Sequence, residues 1–227
     1  MKRVILISIL FFVLSGAYFA YKTFAATEPI ELRGWAWSSN VGWISLTCDH
    51  SKDGTAAPNN VNNCSQSEYR VKLDPETSLF SGYAWSSGGG NTGAGWIKFD
   101  PDTTLAPEAP KLSARLVLIS SSPVRYQVQG WIRACAGASD PINCSGGVEP
   151  NAGGWDGWIK MSGNTTNCPT PPESGPYETC LSSDGKGLRG FAWGALDLGW
   201  INFDTAYNGF STPLGPGGVQ IKEIKPR

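Results

Sequence analysis

Ionisable side chains are scarce in this chain. It has one histidine, His50, and two methionines in 227 residues, and charged residues make up 16% against a usual ~25%. A nucleophilic triad usually needs a base, and His50 sits in a Cys/Asp/His/Ser stretch that reads as a solvated loop. No C-x-x-C occurs, so neither a zinc site nor any other metal or cofactor is expected. No Lys/Arg cluster appears, which leaves nucleic-acid binding without an electrostatic footprint. Beyond the N-terminus there is no long stretch rich in Ala, Leu, Glu and Lys, and no second apolar run long enough to span a membrane.

What the chain does have is glycine, tryptophan and paired cysteines. Gly is 28 of 227 residues and Trp is ten. With low charge, this composition suggests short strands joined by turns, an all-β class. Residues 1–26 read as an export signal: Met1, Lys2 and Arg3, an apolar run over 4–20, then Ala25 and Ala26. The competing reading is an uncleaved anchor, the only membrane contact expected. The protein is therefore expected to be secreted or extracytoplasmic. Losing Lys2, Arg3 and Lys22 leaves 15 basic and 19 acidic side chains, a net of −4. Six cysteines, an even number in an exported chain, read as a disulfide framework. Neighbours within shared Gly/Asn/Ser/Pro-rich stretches favour Cys48–Cys64, Cys135–Cys144 and Cys168–Cys180.

An internal repeat organises residues 27–227 as one β domain. Four segments match: Leu32-Arg33-Gly34-Trp35-Ala36-Trp37 with Gly42-Trp43-Ile44-Ser45-Leu46; Phe80-Ser81-Gly82-Tyr83-Ala84-Trp85 with Gly95-Trp96-Ile97-Lys98-Phe99; Val128-Gln129-Gly130-Trp131-Ile132-Arg133 with Gly157-Trp158-Ile159-Lys160-Met161; and Leu188-Arg189-Gly190-Phe191-Ala192-Trp193 with Gly199-Trp200-Ile201-Asn202-Phe203. The halves are separated by 4, 9, 23 and 5 residues, which reads as hairpins whose tips tolerate insertion. A further strand precedes the hairpin: Tyr69 lies 13 residues before Gly82, and Tyr177 lies 13 before Gly190. Copy one lacks this strand, while Val219-Gln220-Ile221 is an orphan at the other end. Four three-stranded antiparallel units (29–46 with 217–224, 69–99, 114–161 and 177–203) are therefore expected, closed into a propeller-like ring by the C-terminal strand. A two-sheet sandwich is the alternative.

The pattern G-[WYF]-A-W … G-W-I-x-F resembles a repeat of exported, mostly uncharacterised proteins from environmental and candidate-phylum bacteria. The resemblance implies export and repetition and supplies no active site. Copy three departs from it, with Ile132 and Arg133 where Ala and Trp are expected.

Side chains alternate across a strand. One face, carrying Leu32, Ala36, Ile44 and Leu46 and their equivalents, is apolar and should be buried. The other carries Trp35, Trp37, Trp43, Tyr83, Trp85, Trp96, Trp131, Trp158, Phe191, Trp193 and Trp200. Packing between neighbouring units is the expected use of these rings, and a sugar-stacking platform is the competing one. Ligand contacts are expected instead at Trp155, Asp156, Arg133 and Asp197, in or beside the hairpin loops. The function expected is a non-catalytic surface or secreted binding module, for glycan or a surface protein. The alternatives are a structural envelope protein and, third, a glycan hydrolase using loop carboxylates among Asp140, Glu149, Asp156 and Asp197.

Overall fold

The structure, a computed structural model, describes residues 28–51, 61–87, 93–163, 168, 178–182, 187–203 and 220–221. The N-terminal signal segment and Tyr177 lie outside the described residues. The strands in chain order are β1 (Ile30–Arg33), β2 (Trp35–Ser38), β3 (Gly42–Ser45), β4 (Val71–Leu73), β5 (Phe80–Ser86), β6 (Gly95–Lys98), β7 (Arg115–Ser121), β8 (Val124–Gln129) and β9 (Trp131–Ala134). They continue with β10 (Ala138–Asp140), β11 (Ser145–Val148), β12 (Trp158–Lys160), β13 (Cys180–Leu181), β14 (Leu188–Arg189), β15 (Phe191–Trp193), β16 (Trp200–Asn202) and β17 (Gln220–Ile221); a 3-10 turn (Cys135–Gly137) follows β9 and a short helix, α1 (Ala195–Leu198), lies between β15 and β16.

The four matched segments form the hairpins β2–β3, β5–β6, β9–β12 and β15–β16. Each hairpin joins the next edge to edge: Ser45 pairs with Trp85, Lys98 with Arg133, Lys160 with Trp193, and Asn202 with Trp37. The last of these joins β16 to β2, so eight antiparallel strands close into a barrel. This corrects the expected architecture, which was neither reached as a propeller nor as a sandwich. Propeller blades pack face to face, whereas here backbone hydrogen bonds join the hairpins and their apolar faces share one interior. Closure leaves these eight strands no free edge.

The interior is filled in layers. Ala36, Ala84, Ile132 and Ala192 sit opposite Ile44, Ile97, Ile159 and Ile201, and all eight are buried. Below them lie Leu32, Phe80, Val128 and Leu188 with Leu46, Phe99, Met161 and Phe203, equally buried. In three of the four hairpins an alanine faces an isoleucine, Ile132 being the exception, which fits an eight-stranded interior just wide enough for side chains to fill.

The strand ahead of each hairpin also pairs in a common register. Arg33 faces Gln220, Ser81 faces Lys72, Gln129 faces Arg115, and Arg189 faces Cys180. The C-terminal β17 thus completes the first unit. At each passage into the barrel stands the opening glycine, with φ of +86° at Gly34, +88° at Gly82, +97° at Gly130 and +84° at Gly190. The carbonyls of these four glycines accept from the N–H of Leu46, Phe99, Met161 and Phe203, which ties the two halves of each motif together. Disulfides join Cys48–Cys64, Cys135–Cys144 and Cys168–Cys180. Three disulfides fit an oxidising, extracytoplasmic compartment.

Candidate functional site

With the apolar face turned inward, the aromatic face lies on the outside of the barrel. The rings pair within hairpins: Trp37 with Trp43 at 4.8 Å between centroids, Trp85 with Trp96 at 4.5 Å, Trp131 with Trp158 at 6.3 Å, and Trp193 with Trp200 at 4.4 Å. Packing between neighbouring units, the expected use, is therefore replaced by cross-strand pairing. The physical reason is the barrel: units contact one another through backbone and interior, leaving their outer faces to the loops that fold over them and to solvent. Trp131 and Trp158 are buried, Trp193 and Trp200 are exposed, and the other rings of the motif are half-buried.

A groove of about 280 Å³ opens on this outer surface beside the second hairpin. Its lining includes Tyr69, Tyr83 and Trp96, with Ser67 and Glu68 on one side and Pro141 and Ile142 on the other. Tyr69 meets Trp96 at 5.3 Å and 72°, and Tyr83 meets it at 6.3 Å and 81°. Two rings thus stand edgewise to the indole. Lys98 Nζ lies 5.7 Å from the Tyr83 ring centroid. Glu68 pairs with Arg70 at 3.0 Å, and Arg70 also reaches Glu31 at 3.0 Å, so the carboxylate at the rim is already matched by a cation.

Tyr69 is held from behind. Its hydroxyl lies 2.8 Å from Ser45 Oγ, which is also 2.8 Å from His50 Nε2. His50 is buried and stacks on Trp35 at 4.3 Å and 17°. The solvated-loop expectation for His50 is thereby corrected: the stack on Trp35 and the Ser45 contact draw it under the loop. Burial raises the pKa of Tyr69, with the Ser45 hydrogen bond acting the other way, so the phenol stays neutral.

The opposite wall comes from the 23-residue loop of the third hairpin, where β10 and β11 form a small two-stranded flap. Arg133 secures it. This side chain is 1% exposed; Nε donates to Asp156 O at 2.9 Å, Nη1 to Gly146 O at 2.7 Å, and Nη2 to Gly147 O at 2.7 Å. The guanidinium also lies 4.7 Å from the centroid of Trp158. Burial lowers its pKa, partly offset by Asp156. The departure of copy three from the motif thus has a structural use: Arg replaces Trp where the flap's carbonyls fold back onto the barrel. At the flap's tip, Asp140 Oδ2 accepts from Asn143 Nδ2 and Ser145 Oγ, and Oδ1 from the N–H of Ile142 and Asn143.

The Asn143 side-chain hydrogen bond and then its backbone N–H hold the Asp140 carboxyl below the ordinary range. A lowered folded-state pKa stabilises the turn at pH above the unfolded aspartate value of ~3.9, and that stabilisation is lost as pH falls through the lowered value. The amide resonances of Ile142 and Asn143 are therefore expected to hold from neutrality to about pH 5 and to shift towards disordered values below about pH 4. A pH series of nitrogen–proton correlation spectra measures this.

Of the four residues expected to touch a ligand, Arg133 and Asp156 come together, with Asp156 Oδ1 accepting from the N–H of Trp158 at 3.1 Å. Trp155 is half-buried against the main core, its indole Nε1 buried without a hydrogen-bond partner. Asp197 lies on α1 at the fourth hairpin, where its carbonyl accepts from Asn40 Nδ2 at 3.3 Å. The Glu149 carboxylate is taken up by Asn151 in its own turn. Sequence reasoning placed Tyr69 only as a strand residue. The one signal that could have singled it out is the tyrosine 13 residues before the glycine in two copies. No family model, curated protein or solved structure matches the chain.

Proposed function

We propose that this protein is an extracytoplasmic, non-catalytic carbohydrate-binding module that takes a neutral pyranose chain in the groove at Trp96, Tyr69 and Tyr83. The observation that carries this reading is an outward-facing indole bordered by two edgewise phenols in a walled groove. Pyranose rings have apolar faces that stack on flat aromatics while hydroxyls seek polar neighbours, and mostly apolar grooves with a few placed polar groups are how small ligands are held. Ser67 and Glu68 supply such groups here. The pairing of Glu68 with Arg70 neutralises the rim carboxylate, which argues for a ligand without positive charge.

A glycan array probed with the secreted form tests the reading. Trp96→Ala is expected to weaken binding at least tenfold, about 1.4 kcal/mol. Ile142→Glu changes a wall residue that is 86% exposed, so it should reduce binding several-fold with an unchanged melting temperature. No signal from any glycan on the array would remove the carbohydrate reading and leave the structural envelope role.

A further inference from the structure

The barrel carries a second aromatic platform outside the groove. At the fourth hairpin Trp193 and Trp200 face each other directly across the strand pair, with centroids 4.4 Å apart and planes at 49°. The groove hairpin has nearly the same arrangement in Trp85 and Trp96, at 4.5 Å and 56°. Trp193 is 36% exposed and Trp200 38%, the most exposed indoles among the described residues. On the neighbouring strands Lys160 pairs with Trp193 and Asn202 with Phe191. At the groove hairpin, Ser45 and Lys98 hold the corresponding positions beside Trp85 and Tyr83. Each pair of indoles therefore has one lysine and one neutral polar residue at these positions, Ser45 buried and Asn202 half-buried.

The other two hairpins are built differently. In the third, Arg133 replaces one ring and Trp131 and Trp158 are buried. In the first, Trp37 and Trp43 are paired across the strands as well, at 4.8 Å, but the two flanking positions hold Ser45 and Asn202 and so lack the lysine.

We infer that the Trp193–Trp200 platform is a second binding site for the same class of ligand, a neutral pyranose chain, and that the protein is bivalent. This inference rests on the carbohydrate reading of the groove. Strand order adds its consequence. Going round the closed barrel from the second hairpin to the fourth, the path crosses the third hairpin in one direction and the first in the other. The two platforms thus lie on opposite sides and face away from each other. Flat faces turned in opposite directions cannot stack on one short stretch of one chain. They engage two separate chains and bridge them, and two engaged sites raise avidity without any new contact.

Isothermal titration of the secreted form tests this, using the β-1,4-linked N-acetylglucosamine hexamer, or the strongest soluble ligand from the array where that differs. The expected result is two sites per chain, falling to one in Trp96→Ala and to one in Trp193→Ala, with sedimentation confirming an unchanged oligomeric state. Beads coated with the matching polysaccharide should be cross-linked by the wild type, and bound without cross-linking by either variant. Trp200→Gln is the second variant at the exposed platform, and circular dichroism with thermal melting checks that each variant folds. One site in the wild type, abolished by Trp96→Ala, would overturn bivalency and leave the groove reading standing. No binding at all by the wild type would overturn both.

Discussion

Replacing Gly190 by alanine is expected to be one of the costliest single methyl additions among the described residues. The glycine sits at φ +84°, and a Cβ there would stand 1.9 Å from Glu178 O. That carbonyl is in use, accepting from the N–H of Phe191 at 3.3 Å, and Glu178 itself is buried. The left-handed conformation alone costs an L-residue about 1–2 kcal/mol. The overlap with backbone adds strain of about 1–3 kcal/mol, because no flexible side-chain end can move aside. A loss of about 2–5 kcal/mol follows, or roughly 10 °C in melting temperature for a chain of this size. Gly82→Ala should behave alike, since its Cβ would meet Arg70 O at 2.0 Å. Gly95→Ala is the control: φ is +68° and nothing lies within 4 Å of the added carbon. It should lose only the conformational part, about 1–2 kcal/mol. Thermal and urea melts of the three variants measure the difference.

Arg133→Ala should release the flap and blunt the groove together. Truncation removes three hydrogen bonds, to Gly146 O, Gly147 O and Asp156 O, and bares the face of Trp158. A buried acceptor left unmade costs about 1–3 kcal/mol, but the flap can open and let water reach all three carbonyls. The net destabilisation should therefore be about 2–4 kcal/mol rather than three times one bond. Amides of residues 138–148 should lose protection from hydrogen exchange. Carbohydrate binding should fall with them, because Pro141 and Ile142 wall the groove. Arg133→Lys keeps the charge without the planar fork that serves two carbonyls at once, so it should recover only part of both effects. Loss of stability with binding intact in the remaining folded protein would show that the flap is not part of the site.

The inward face of every hairpin was legible, because Leu32, Ala36, Ile44 and their equivalents alternate strictly with larger polar or aromatic neighbours. How the hairpins join was not. Edge pairing such as Ser45 with Trp85 is made by backbone, and a barrel strand alternates just as a propeller strand does. The pairing of β17 with β1 was readable from an unmatched strand at one end and an unmatched hairpin at the other. His50 misled because its immediate neighbours are polar, whereas its burial depends on Trp35, fifteen positions away in sequence. Arg133 stood out as a break in the motif, but its use depends on Gly146 and Gly147 folding back, which no local pattern announces. Trp96 and Tyr83 were assigned to packing because their positions recur in every copy. They line a groove only where Tyr69 and the third hairpin's flap close around them.

The most direct test of an outward aromatic site is the response of the indole N–H resonances to oligosaccharide. All ten tryptophans lie between Trp35 and Trp200 and are kept whether or not residues 1–26 are removed. Titration with the best array ligand should shift the Trp96 indole, and the Trp193 and Trp200 indoles with it. The Trp35 and Trp155 indoles, whose Nε1 atoms are buried, should stay in place. Shifts confined to Trp35 and Trp155, or none at any indole at saturating ligand, would contradict a carbohydrate site on the outer face of the barrel.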